Sequence, residues 1–116
     1  MKTRKLVEYI NPTGVSEFGK WFSRLDSDTA ARITTFLYRL SQGSFSNIKS
    51  VGKGVFEYRI DFGPGYRIYF GQDEDILIIL LNGGSKKRQN IDIKRAHRLW
   101  IEYKSRKSSG EIELWH

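Results

Sequence analysis

Gly54-Val-Phe-Glu-Tyr-Arg-Ile-Asp-Phe-Gly-Pro-Gly-Tyr-Arg-Ile-Tyr-Phe70 decides the fold. Up to Phe62 its side chains alternate with a period of two. Phe56, Tyr58, Ile60 and Phe62 fall on one face, with Val55, Glu57, Arg59 and Asp61 on the other. Gly63-Pro-Gly65 is a turn signal, and Tyr66, Ile68 and Phe70 then resume the apolar face, so the stretch predicts a β-hairpin. The apolar faces of paired strands must point the same way, so residues of equal parity oppose each other. A three-residue loop of Gly63 to Gly65 would set Phe62 opposite Tyr66, Asp61 opposite Arg67 and Arg59 opposite Tyr69. Arg59 and Arg67 would then share one polar face.

Downstream, Ile76-Leu-Ile-Ile-Leu-Leu81 does not alternate, as expected of a central strand covered on both sides. It leads into Asn82-Gly-Gly-Ser-Lys-Lys-Arg88, read as a glycine-rich basic loop. A last helix follows, opened near Asn90 or Asp92, with Ile93, Ala96, Trp100 and Tyr103 as its buried stripe. Upstream, Val15, Phe18, Trp21, Phe22 and Leu25 recur at helical spacing, with Asn11 or Thr13 as the cap. A second stripe at Ala30, Ile33, Phe36, Leu37 and Leu40 starts at Ser27 or Asp28 and stops at Gln42-Gly43. Lys5 to Ile10 reads as a first strand. The expected fold is α+β: an amino-terminal strand and a two-helix hairpin packed on a mainly antiparallel sheet of about four strands, with a carboxyl-terminal helix. Residues 1–104 form one expected domain, and 105–116 a polar, flexible tail.

The length of 116 residues suits a single core. The absence of cysteine excludes a disulfide framework, a thiolate metal site and a cysteine nucleophile, and fits a reducing cytoplasm. Glu8 interrupts the apolar stretch after the basic amino terminus, and the longest apolar run is six residues, so neither export nor membrane insertion is expected. The net charge of +7 is localised: from Asn82 to Lys107 nine Lys/Arg face two acids, and the remainder balances. A basic field of that kind attracts polyanions.

No dinucleotide fingerprint, phosphate-binding loop, zinc-helix motif or nucleophile elbow occurs. The two histidines, His97 and His116, have no partner at catalytic or ligand spacing, and no metal or cofactor is expected. The chemistry left is basic and aromatic: Lys49 and Lys53 before the hairpin, Arg59 and Arg67 on it, and Lys86, Lys87 and Arg88 after the central strand. Arginine donates bidentately to phosphate, lysine supplies a compact charge, and the Gly83-Gly84 amides can approach an anion closely. Tyr66 or Tyr69 could stack on a base. The bland alternatives are ion pairs of Arg59 with Glu57 or Asp61 and of Arg67 with Asp61.

The hairpin, together with Ile79-Leu-Leu-Asn-Gly-Gly-Ser-Lys86 and Ile91-Asp-Ile-Lys-Arg-Ala96, resembles the addiction-module killer proteins, the Gp49-like or HigB-related group of the RelE/ParE toxins. The resemblance spans about Val7 to Tyr103. It implies a RelE-like fold and the toxin half of a type II toxin–antitoxin pair. In the RNA-cleaving branch it implies metal-independent cleavage of messenger RNA, often on the ribosome, by attack of the 2′-hydroxyl on the adjacent phosphate. By motif position Arg67 is similar to the arginine that stabilises the phosphorane, Arg59 to a basic strand residue beside the scissile phosphate, and Lys86 to the carboxyl-loop cation. Lys49, Lys53, Tyr66, Lys87 and Arg88 would bind the RNA around them. Asp61 and Ser85 depart from the pattern: RNA cleavers carry a lysine at the former position, and relatives commonly carry an acid at the latter. Only Tyr103 and His97 offer a proton donor. The implied partner is a helix-turn-helix antitoxin encoded alongside. The alternatives on the same fold are a ParE-like gyrase inhibitor and a non-catalytic nucleic-acid or partner-binding module.

Overall fold

The computed structural model describes residues 3–112. Five strands, β1 (Lys5–Glu8), β2 (Ile48–Ser50), β3 (Val55–Ile60), β4 (Tyr66–Asp73) and β5 (Leu77–Ser85), form one mixed sheet in the order β1-β5-β4-β3-β2. The α+β class, the helical hairpin and the last helix are as expected. The sheet has one strand more than about four, and β1 runs parallel to β5, with Lys5 opposite Leu77 and Glu8 opposite Leu80. β4 is therefore the middle strand, and β5 is an interior strand beside it. The added strand, β2, is a three-residue edge paired to β3.

Helices α1 (Glu17–Ser23) and α2 (Ser27–Ser41) cover one face. Their caps lie one residue from the expected positions or further: Ser16 accepts from the Gly19 amide at 2.8 Å, and Asp26 accepts from the Thr29 amide at 2.7 Å. Asn11 instead ties its own turn, accepting from the Thr13 and Val15 amides. Gly43, at φ 88°, closes α2 in the left-handed region that glycine adopts without strain. The core on this side joins Phe18, Ile33 and Leu40 to the even-numbered face of the hairpin, Tyr58, Ile60, Ile68 and Phe70, and to Ile78 and Leu80.

The opposite face is covered by α3 (Gln89–Ser108). Ala96, Trp100 and Tyr103 are buried there with Val55, Tyr69, Leu77, Ile79 and Leu81, and Ile93 packs against them half-buried. Trp100 lies flat on the sheet only because Gly71 has no side chain: a Cβ there would stand 2.4 Å from the ring. The face that carries Arg59 and Arg67 is therefore not open along its length, because α3 packs on it. α3 also runs to Ser108, past Lys104, where the sequence suggested a linker. Arg106 reaches back to the Ile10 carbonyl at 2.8 Å, and Lys107 pairs with Asp73 at 2.6 Å. The remainder of the expected tail, residues 113–116 with His116, lies outside the described residues.

Candidate functional site

The hairpin turn is wider than three residues. β3 stops at Ile60, and the loop is Asp61 to Gly65, closed by the Gly65 amide on the Phe62 carbonyl at 2.9 Å, with Gly63 and Gly65 at positive φ. Phe62 leaves the strand to stack between Tyr66 and Phe36, at centroid distances of 5.2 and 6.3 Å. The register is consequently two residues away from the expected one. Arg59 faces Arg67, Tyr58 faces Ile68 and Glu57 faces Tyr69. Parity is preserved, so Arg59 and Arg67 do share a face, and they are direct cross-strand neighbours.

Like charges opposite each other repel unless a counter-charge lies near. Glu57, fully buried, supplies it. Its Oε1 lies 3.7 Å from Arg67 Nε and 3.8 Å from Lys49 Nζ, while its Oε2 accepts from Gln89 Nε2 at 2.8 Å and from the Tyr69 hydroxyl at 3.2 Å. Among the described residues, neither the expected Asp61 partner for Arg67 nor a Glu57 or Asp61 ion pair with Arg59 occurs, and Arg59 is exposed. Arg67 is only 5% exposed, and its Nη1 donates to the Tyr66 carbonyl at 3.3 Å. Burial first, and then the Glu57 carboxylate, push the Tyr69 hydroxyl well above the ordinary tyrosine range, so Tyr69 is a fixed donor inside the core and not a stacking platform.

Asn82 to Ser85 is strand rather than loop, and Lys86 to Arg88 form a 3-10 turn leading straight into α3. The Lys86 amide bonds the Gly65 carbonyl at 2.9 Å. A Cβ built on Gly65 would lie 3.5 Å from Lys86 Cβ and 3.6 Å from Arg67 Nη1, so the Lys86 stem and the Arg67 guanidinium flank the same glycine. The two strand glycines serve packing. Gly83 lets Trp21 onto one face, at 2.3 Å from a built Cβ. Gly84 lets the Asp92 carboxylate onto the other, at 1.9 Å. The Gly84 surface is thus taken by an acid, which corrects the reading of Gly83-Gly84 as an anion cradle.

Arg59 and Arg67 are cross-strand partners at one end of the sheet, Lys86 lies beside Gly65 next to Arg67, and Lys49 reaches Glu57 on the same face. Lys87 follows Lys86 in the 3-10 turn, Arg88 lines a cleft between α1 and α3, and two more of the expected residues lie apart. Lys53 sits in the turn at the opposite end of β3, beside Gly52 and Gly54, which touch His97 and Trp100. Tyr66 is next to Arg67 in sequence and therefore on the other face, half-buried against Trp21 and Phe62. The two proton-donor candidates are engaged elsewhere: His97 Nε2 lies 2.9 Å from the Val51 carbonyl, and the Tyr103 hydroxyl donates to Asp73 at 2.6 Å. The sequence suggested Glu57 only as a partner for Arg59, not for Arg67, and gave no role to Gln89. The correct register would have put Glu57 beside Tyr69, but nothing in the sequence marks Gln89.

The family described as phage-derived protein, Gp49-like (DUF891), matches residues 20–100. The chain is also 48% identical over 80 residues to an uncharacterized protein of Haemophilus influenzae, covering 68% of this chain and 81% of that one. The match takes in the whole hairpin, β5 and most of α3.

Proposed function

The chain belongs to the phage-derived Gp49-like family, a toxin-like family related to RelE and HigB, and from that premise we propose that it is the toxin of a type II toxin–antitoxin pair and a metal-independent messenger-RNA endoribonuclease. The observation that carries this reading is the convergence of Arg59, Arg67 and Lys86 at one end of the sheet, with Arg59 and Arg67 directly paired. Attack of a ribose 2′-hydroxyl oxygen on the adjacent phosphorus breaks the bond to the 5′-oxygen. It leaves a 2′,3′-cyclic phosphate and a 5′-hydroxyl, through a phosphorane that carries additional negative charge. Fixed guanidinium and ammonium groups aimed at that charge need no reorganisation during the step, and such preorganised electrostatics commonly dominate catalysis. Glu57 holds Arg67 without neutralising Arg59 or Lys86, so positive charge remains available at the rim. The antitoxin partner and ribosomal action belong to the same proposal. Among the described residues no helix is long and apolar enough to cross a membrane.

The test is induced expression followed by mapping of RNA 5′ ends. New cuts are expected for the wild type, and Arg67→Ala should lower the cleavage rate by roughly 10²–10³-fold, the usual cost of one preorganised donor. Intact messages together with inhibition of supercoiling by the purified protein would replace this reading with gyrase inhibition. Growth arrest unchanged in Arg67→Ala would replace it with a binding module.

A further inference from the structure

β1 leaves the sheet after Glu8, so beyond Leu80 the outer side of β5 has no neighbouring strand. A cleft of about 760 Å³ opens there between α1 and α3, within the size range of small-ligand sites. Its walls carry five cations, Lys20 and the C-cap Arg24 of α1, Arg88 of the 3-10 turn, and Arg95 and Arg98 of α3. Against them stand two acids. Glu17 is 3.6 Å from Arg95, and Asp92 is buried. Lys20, Arg24, Arg88 and Arg98 make no ion pair with any described residue. Four unpaired cations around one cleft repel each other and are relieved by a polyanion.

One further observation narrows the occupant. Trp21 and Tyr66, with ring centroids 6.3 Å apart, both line the cleft. The walls therefore call for negative charge and the rings for a flat partner. An acidic peptide meets the first requirement, but Asp and Glu side chains bring no ring. A ribonucleotide brings phosphate for the cations and a flat base for the rings.

We propose that this cleft is a second RNA subsite, in which phosphates flanking the nucleotide at Arg59 and Arg67 lie on Lys20, Arg24, Arg88 and Arg98 and one base enters against Trp21 and Tyr66. The inference rests on the reading of the chain as an RNA-cleaving toxin and adds where the strand runs. Gly84, in the cleft wall, is the direct strand partner of Arg67, so the cleft begins on the strand next to Arg67, about 5 Å away in backbone spacing. A single-stranded segment can pass from the rim over Ser85 into the cleft.

The experiment is fluorescence anisotropy with a labelled 2′-O-methyl RNA decamer, which cannot be cleaved because its nucleophile is blocked. Wild type, R24A/R98A and R59A/K86A would be titrated at several salt concentrations, with thermal melts to confirm folding. Loss of two phosphate contacts in R24A/R98A should weaken binding about tenfold or more at low salt and flatten the dependence of log K on log salt by about 1.4. Wild-type affinity and slope in R24A/R98A, or no binding of the decamer by the wild type, overturns the proposal. So does binding of a deca-glutamate peptide that requires Arg24 and Arg98 while RNA binding does not, which makes the cleft an acidic-protein site. Cleavage is read separately: a decamer that depends on Arg24 and Arg98, bound by a protein that cuts no message, leaves the cleft standing and removes the nuclease.

Discussion

Arg67 owes its position to a buried carboxylate, and a double-mutant cycle on Glu57 and Arg67 measures by how much. The side chains are 0% and 6% exposed, and Glu57 Oε1 stands 3.7 Å from Arg67 Nε without a hydrogen bond. At an effective dielectric of 20 the attraction is about 4 kcal/mol. Removing one member leaves the other charge buried, which in comparable pairs costs about 3–5 kcal/mol. Lys49, 3.8 Å away but 56% exposed, is too well solvated to add much. Glu57→Gln keeps a carbonyl oxygen for the Tyr69 and Gln89 donors and deletes only the charge, so its cost belongs at the lower end, about 3 kcal/mol. With an m value of roughly 1.5 kcal/mol per molar, the urea midpoint should fall by about 2 M, with m itself unchanged. Arg67→Met should cost a similar amount. In E57Q/R67M neither charge remains, so the double change should cost less than the two single changes together, with a coupling of about 2 kcal/mol or more. Additivity within about 0.5 kcal/mol would refute the reasoning, because Arg67 would then be held by packing and its Tyr66 contact alone.

Gly71→Ala pushes a methyl group to 2.4 Å from the Trp100 ring, which Tyr103 stacks from the side at 5.2 Å. Overpacking of that kind costs about 1–3 kcal/mol, and a melting temperature lowered by less than about 3 °C would contradict the described contact. Burial holds the Asp92 carboxyl above its ordinary range, against the lowering influence of Arg88 and Arg95. A raised folded value stabilises below the unfolded pKa of about 3.9, and that contribution is lost as pH rises through the folded value. Asp92→Asn should therefore gain stability relative to the wild type between about pH 4 and 7, and parallel stability curves would contradict this. Asp73 behaves in the opposite sense. Burial raises its carboxyl, but hydrogen bonds from Lys107 and Tyr103 outweigh that and leave it lowered. Its contribution is present above about pH 4 and disappears as pH falls through the lowered value, so Asp73→Asn should remove part of the acid limb of unfolding.

The elements of the fold were legible because their signals are periodic. The even-numbered aromatics within the paired strands, the stripes Phe18, Trp21 and Phe22 and Ile33, Phe36, Leu37 and Leu40, and Ala96, Trp100 and Tyr103 occupy the faces their spacing required, whereas Val15 falls before α1 and Phe62 beyond β3. Register was less legible, since parity fixes it only in steps of two. The choice between a three- and a five-residue loop depended on whether Phe62 ends the strand or covers α2, and Phe36, which draws it away, is 26 positions distant in the chain. A short strand such as Ile48–Ser50 carries too few residues for a period to show.

The site was half legible for a related reason. Charge was visible in the sequence, but its accessibility depends on what covers it. Arg59 and Arg67 alternate identically on the polar face of the hairpin, yet α3 and Gln89 close over Arg67 and Glu57 and leave Arg59 open. The same cover redirects the meaning of Gly83-Gly84. In a loop two glycines free backbone amides for an anion, whereas in a strand they admit a ring on one side and a carboxylate on the other. Once α3 occupies the sheet face, the proposed RNA path is left the end of the hairpin and the uncovered edge of β5. Among the described residues, cations without an ion-pair partner stand at both, Arg59 with Lys86 at the first and Lys20, Arg24, Arg88 and Arg98 at the second.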